Sequence, residues 1–311
     1  MLTHNGLPLS EPMAFGLASG ISFAYLPLIK LSGMPLIAYR MPPRAIIRGI
    51  EKRLGIRMRY RTFRNPERGM AALDEQLAEG RLVGMQTSVF WLPYFPENMR
   101  FHFNAHNLLA YGRSDGDYLI SDPVFEEVTR CDGKSLQKAR FTKGALAARG
   151  LMYYPVSVPG DFDLAAAAKK AIRKSFRIMN GAPLPMIGIK GIRYLGKQIV
   201  RLYRKPAQRE QYLPLYLSHI VRMQEEIGTG GAGFRFMYAA FLRETGSRLE
   251  HELLKEASEM MVEAGDRWRL FALQSSKMCR GRQAMDVHML DDTLNACADL
   301  EARAWRLLKR Y

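Results

Sequence analysis

Cysteine is scarce in this 311-residue sequence: only Cys131, Cys279 and Cys297 occur. They are odd in number and far apart, which argues against a disulfide framework and a paired metal site. No apolar run reaches the roughly 18–20 residues that a membrane-spanning helix needs. The opening Met1-Leu2-Thr3-His4-Asn5-Gly6 lacks a basic n-region and an apolar h-region, so no secretory signal is expected. These absences lead to the expectation of a cytoplasmic protein with no transmembrane segment. No zinc-finger or RNA-binding signature accompanies the basic residues, which read as scattered, and nucleic acid is not an expected partner. Internal repeats and low-complexity stretches are also missing. The glycine-rich run at residues 228–233 (GTGGAG) has neither a Walker lysine nor a preceding strand, which excludes a P-loop and a Rossmann turn.

What is present describes an ordinary globular chain. Hydrophobic residues make up 48% and charged residues 24%, enough to bury a core. The length exceeds what one core comfortably fills, so two domains are expected. A formal net charge of +16 and an isoelectric point near 9.9 call either for an acidic partner or for tolerance of self-repulsion. An acidic protein and an anionic membrane surface account for the charge equally well, as does a merely solvated basic surface.

The first half alternates strand and helix signals. Ser10 before Glu11-Pro12 predicts a capped helix that stops by Gly20. Strands are expected at residues 21–26 and 35–39, and a helix over 44–54 with Ile46, Ile47, Ile50 and Leu54 on one face. Asn65-Pro66 opens a further helix ending at Gly80. Strands follow at 82–88, 107–112, 118–121 and 152–158. After Pro159-Gly160 the strand signals vanish and apolar residues recur at helical spacing. The expected organisation is an α+β domain over residues 1–158 and an all-α domain over 159–311.

Residues 101–123 read FHFNAHNLLAYGRSDGDYLISDP, a β-hairpin with Ser114-Asp115-Gly116 at its turn. With a loop over residues 112–116, His106 lies opposite Asp122 on one face. A carboxylate beside a histidine fixes its tautomer and makes it a better base. The alternative is structural, since Asp122 before Pro123 is also a good turn residue. Asn104 and Asn107 flank His106 and are candidates to hold a carbonyl oxygen or a water, or else to bond their own turns. Glu11 either points into a cleft or complements the macrodipole of its helix. Gly230 and Arg235, in and beside the glycine-rich run, are candidates for a phosphate, against close packing of helices through small residues.

Several separated motifs stand in a familiar order: GLPLSEPM at residues 6–13 with Phe15-Gly16, Leu92-Pro93-Tyr94 before the hairpin, the His106 to Asp122 segment, and LQKAR at 136–140. Farther on, GTGG at 228–231 leads into Phe234-Arg235 and YAAFL at 238–242. This pattern resembles the papain-like peptidases that process bacteriocin leaders, and more closely the N-terminal domain of butirosin biosynthesis protein H with its helical companion. The resemblance implies a papain-like fold for residues 1–158 and acyl transfer in secondary metabolism. The acyl donor would be an acidic acyl carrier protein that presents phosphopantetheine; the acceptor would be an amine. No other cofactor and no metal are implied. His106 and Asp122 match the family's base and orienting acid, and Tyr94 lines the same site. The family's nucleophilic cysteine belongs on a helix upstream of GLPLSE, a stretch this sequence does not contain. A binding module without catalysis and a papain-like peptidase or thioesterase are the alternatives.

Overall fold

The computed structural model describes residues 1–31, 33–144, 146–227 and 231–311. Its elements in chain order are α1 (Glu11–Leu17), β1 (Ile21–Leu31), β2 (Met34–Arg40), α2 (Pro43–Leu54), β3 (Arg57–Arg61), α3 (Pro66–Ala78), β4 (Val83–Thr87), β5 (His106–Ser114), β6 (Asp117–Ser121), β7 (Thr129–Cys131), α4 (Gly133–Phe141), β8 (Met152–Ser157), α5 (Leu164–Asn180), α6 (Gly188–Tyr203), α7 (Pro206–Glu225), α8 (Arg235–Arg248), α9 (Glu252–Cys279) and α10 (Val287–Leu308). The class is α+β, with the sheet in the N-terminal region and helices in the C-terminal region. Among the described residues, no helix is long and apolar enough to cross a membrane.

The chain forms two compact units, and they are not consecutive halves. One comprises Met1–Leu9 and Leu54–Asp161, the other Ser10–Arg53 and Phe162–Tyr311. The expectation of a single division at residue 158 therefore needs correcting for residues 10–53. The reason is aromatic packing. Phe23 of β1 packs tilted, and Tyr39 of β2 edge to face, against Trp268 of α9, with ring centroids 5.7 and 5.4 Å away. Phe15 of α1 stacks on Phe234 at 5.4 Å. Gly16 lies so close to Phe241 that a Cβ there would fall 1.9 Å from the ring. Strand signals alone could not say which unit the β1–β2 ribbon would join.

The sheet unit is one six-stranded antiparallel sheet in the order β3-β8-β4-β5-β6-β7. One face carries Val83, Met85, Leu108, Ala110, Tyr118, Ile120 and Met152, packed with Leu73 of α3 and with Leu136 and Ala139 of α4. Both helices start on side-chain caps: Asn65 accepts from the Arg68 amide at 2.8 Å and Asp132 from the Ser135 amide at 2.9 Å. β3 (RMRYR) and α4 were not expected as elements. β3 is a short edge strand in which half-buried Met58 and Tyr60 alternate with exposed Arg57 and Arg59, an alternation of only two apolar residues.

In the helical unit, the core contains a fully buried ion pair. The Arg235 Nε and Nη2 donate to the two oxygens of Glu301 at 2.9 and 3.2 Å, and Nη1 donates to the Gly233 carbonyl at 2.7 Å. The Trp268 indole donates to the same Glu301 carboxylate at 2.8 Å, and its ring lies 5.2 Å below the guanidinium. Both charged side chains are 0% exposed. Glu301→Leu should destabilise this unit by about 3–5 kcal/mol, because it leaves a buried cation without its partner. The double change Arg235→Met with Glu301→Leu should cost less than the single one. Chemical denaturation of the three proteins measures both.

Candidate active site

The β5–β6 hairpin turns through Asp115 and Gly116, both at positive φ (53° and 88°), the two-residue geometry that matches strand twist. The ladder begins with Ser114 against Asp117, Arg113 against Tyr118 and Gly112 against Leu119. A bulge at Tyr111 then shifts it to Ala110 against Ile120 and Leu109 against Ser121. The expected pairing of residue 106 with 122 is thus corrected. One step further along the ladder sets Leu108 against Asp122, and His106 follows two residues later on the same face. Residues two apart share a face, so the side chains meet diagonally.

They do meet. The His106 Nε2 lies 2.6 Å from the Asp122 Oδ2. The Tyr94 hydroxyl donates to that same oxygen at 2.8 Å, while Oδ1 accepts the Val124 amide at 3.0 Å. Asp122 therefore does two jobs: one oxygen closes the turn after β6, and the other holds the imidazole. The carboxylate only accepts, so Nε2 carries the proton and Nδ1 offers the lone pair. Among the described residues, Nδ1 has no hydrogen-bond partner.

The surroundings are apolar and aromatic. Phe95 meets the His106 ring edge to face at 5.5 Å, and Phe125 packs on both Phe95 and Tyr94 at 4.9 and 5.6 Å. Asp122 is 2% exposed and His106 9%. Burial, and after it the Asp122 charge, pushes the Tyr94 phenol far above its ordinary range, so it stays a donor. Phe95 and Phe125 went unnoticed in the sequence; their signal was their place next to Tyr94 and just after Asp122-Pro123.

Family models settle the kinship. One described as "Butirosin biosynthesis protein H, N-terminal" matches residues 1–123, and a "Domain of unknown function (DUF4872)" matches residues 134–308. The chain belongs to the DUF4872 family, whose model covers more than half of it. The N-terminal region, residues 1–123, matches the butirosin biosynthesis protein H N-terminal family. Membership points to a role in secondary-metabolite biosynthesis. No curated protein matches the chain.

The other residues singled out from the family's pattern are dispersed. Asn107 sits on the face of the sheet opposite His106, where its Oδ1 accepts from the Tyr153 hydroxyl at 3.2 Å and its amide donates to the Ala105 carbonyl. The odd register position decides this, since neighbours along a strand point to opposite faces. Asn104 is buried before β5, and its backbone carbonyl accepts from Gln86 at 2.8 Å. Glu11 is exposed in the first turn of α1, in the helical unit. Arg235 is committed to Glu301 and fully enclosed, which corrects the expectation that it would meet a phosphate. Gly230 lies outside the described residues. Ser10 acts as a helix cap, accepting from the Met13 amide at 3.1 Å and donating to Glu244.

None of the three thiols is activated. Cys131 is 1% exposed on β7, and burial, followed by the nearby Asp132 and Asp117, pushes its pKa up to about 12. Burial also raises Cys279 and Cys297. Native protein treated with iodoacetamide at neutral pH should therefore show no adduct on Cys131 by peptide mass spectrometry, and urea should expose it. The same shift makes stability depend on alkali. The unfolded thiol ionises from about pH 9 while the folded one holds its proton to about 12. Its contribution is thus complete below about pH 9 and lost as the pH climbs towards 12. Cys131→Ala should flatten that decline in a denaturation series over pH.

Proposed function

We propose that this chain serves acyl transfer, moving an acyl group from the phosphopantetheine thioester of an acyl carrier protein to an amine, on a papain-like scaffold. The observation that carries the reading is the 2.6 Å contact between the His106 Nε2 and Asp122, which leaves Nδ1 as the base. As the amine nitrogen attacks the thioester carbonyl, Nδ1 takes the N–H proton. The carbon–sulfur bond then breaks, and the same proton passes to the departing sulfur. Asp122 stabilises the imidazolium that exists between these two moves, and Tyr94 keeps Asp122 in place. The apolar ring of Phe95 and Phe125 limits water, which would otherwise compete with the amine.

A cysteine relay would divide the reaction into two transfers, each needing the same pair of proton movements. The raised thiols of Cys131, Cys279 and Cys297 speak against any of them as that relay. They also favour, as a second reading, a member that binds the carrier without turning it over.

The test is product analysis with an acyl-loaded carrier protein and a primary amine. Amide formation is expected, and His106→Ala should lower its rate by roughly 10²- to 10⁴-fold, the usual share of a general base. Asp122→Asn should cost less, and Tyr94→Phe less again. Free acid in place of amide would indicate a hydrolase. No product from the wild-type chain, with carrier binding intact, would establish the binding role.

A further inference from the structure

The positive charge is not evenly spread. Residues 164–209 contain twelve lysines and arginines and not one aspartate or glutamate. Five of the twelve, Lys169, Lys170, Arg173, Lys174 and Arg177, lie on α5, and all five are exposed. At 3.6 residues per turn they fall within an arc of about 140° along roughly 12 Å of helix. The opposite side of α5 is buried through Ala167, Ala168, Ala171, Ile172, Ser175 and Met179.

A second element adds to this face. Partial burial, and after it the positive fields of Arg53 and Lys52 at the end of α2, lower the pKa of Lys174. The Arg53 guanidinium is pinned by the Leu17 carbonyl at 3.1 Å and the Ser19 hydroxyl at 3.2 Å, and Ser19 in turn donates to the Ala171 carbonyl of α5 at 3.0 Å. The fold thus holds cations from two helices together. Among the described residues, none of the five α5 cations forms a salt bridge, whereas Arg193 of α6 is paired with Asp299. Like charges held close without counter-charge raise the energy of the free protein, and a docked anion relieves it.

We infer that this two-helix cationic face is a docking surface for an acidic protein surface, that of the acyl carrier protein. The choice of partner rests on the acyl-transfer reading; the surface itself does not. An anionic membrane fits less well, because the large apolar side chains that flank the cations on α5, Phe176 and Ile178, are half-buried in the protein rather than free to enter the acyl region. A nucleic acid fits less well too, because the aromatic ring among the five cations, Phe176, is half-buried rather than free to stack, and no side-chain amide stands between them to read a base. What remains is charge alone, which suits the steering of a protein partner.

The experiment is a binding titration with no turnover step, so its result is independent of whether acyl transfer occurs. The full chain is titrated with acetyl-loaded acyl carrier protein, with phosphatidylglycerol vesicles and with a single-stranded RNA oligomer, each at low and high salt. Carrier binding should weaken with salt. In Lys170→Glu/Arg173→Glu/Lys174→Glu its association rate should fall roughly 10- to 1,000-fold, the range that electrostatic steering spans. Arg280→Glu/Arg282→Glu, exposed cations elsewhere, should leave it unchanged, and thermal melts confirm that both variants fold. Carrier binding equally strong in the triple variant overturns the inference. So does binding of vesicles or RNA that the triple variant loses when the carrier does not bind. Carrier binding lost in the triple variant, with no amide made by the wild type, would uphold the docking surface and remove the acyl-transfer reading.

Discussion

The parity of one antiparallel ladder governs everything the candidate site can do. From the turn at Asp115–Gly116 the β5–β6 pairing sets even residues of one strand against odd residues of the other. Continued without interruption, that register would point His106 and Asp122 to opposite faces of the sheet. The bulge at Tyr111 takes up one residue and makes the pairing even against even, as Ala110 against Ile120 shows. A single unpaired residue thus turns a pattern of two polar side chains into a hydrogen-bonded pair. The aromatic ring of Tyr94, Phe95 and Phe125 then has something to enclose.

The two readings of Asp122 open to the sequence do not compete, because a carboxylate has two oxygens: one accepts the Val124 amide in the turn and the other contacts the His106 ring. The spacing of His106, the turn and Asp122-Pro123 carried the local chemistry, and the cap residues Ser10 and Asn65 located their helices correctly. The bulge was not read from the sequence, although Gly112, next to Tyr111 inside the strand, is the kind of residue that marks one. The assumed longer loop reached the right face by a different register.

Other features depend on partners far off in the chain. RMRYR does alternate like a strand, but with only Met58 and Tyr60 as its apolar members the signal is short, and its pairing with β8 comes from far along the chain. Arg235 beside a glycine-rich run looks like a phosphate ligand until Glu301, a helix away, claims it. Asn107 flanks His106 in sequence and lies on the opposite face of the sheet in space. The basic residues seemed scattered when the whole chain was counted. The pattern emerges from where the acids are missing, and from α5 turning all five of its cations outward.

The packing of Ser10–Arg53 into the helical unit has a consequence for how the molecule is made. On the ribosome the β1–β2 ribbon emerges early, and Phe23 and Tyr39 are then without the Trp268 ring they pack on. The sheet unit, whose strands all lie within Leu54–Asp161, is complete while that ribbon still waits. Vectorial synthesis therefore yields a long-lived nascent chain with an unsatisfied aromatic surface ahead of a finished domain, and long-range closure of this kind is slow.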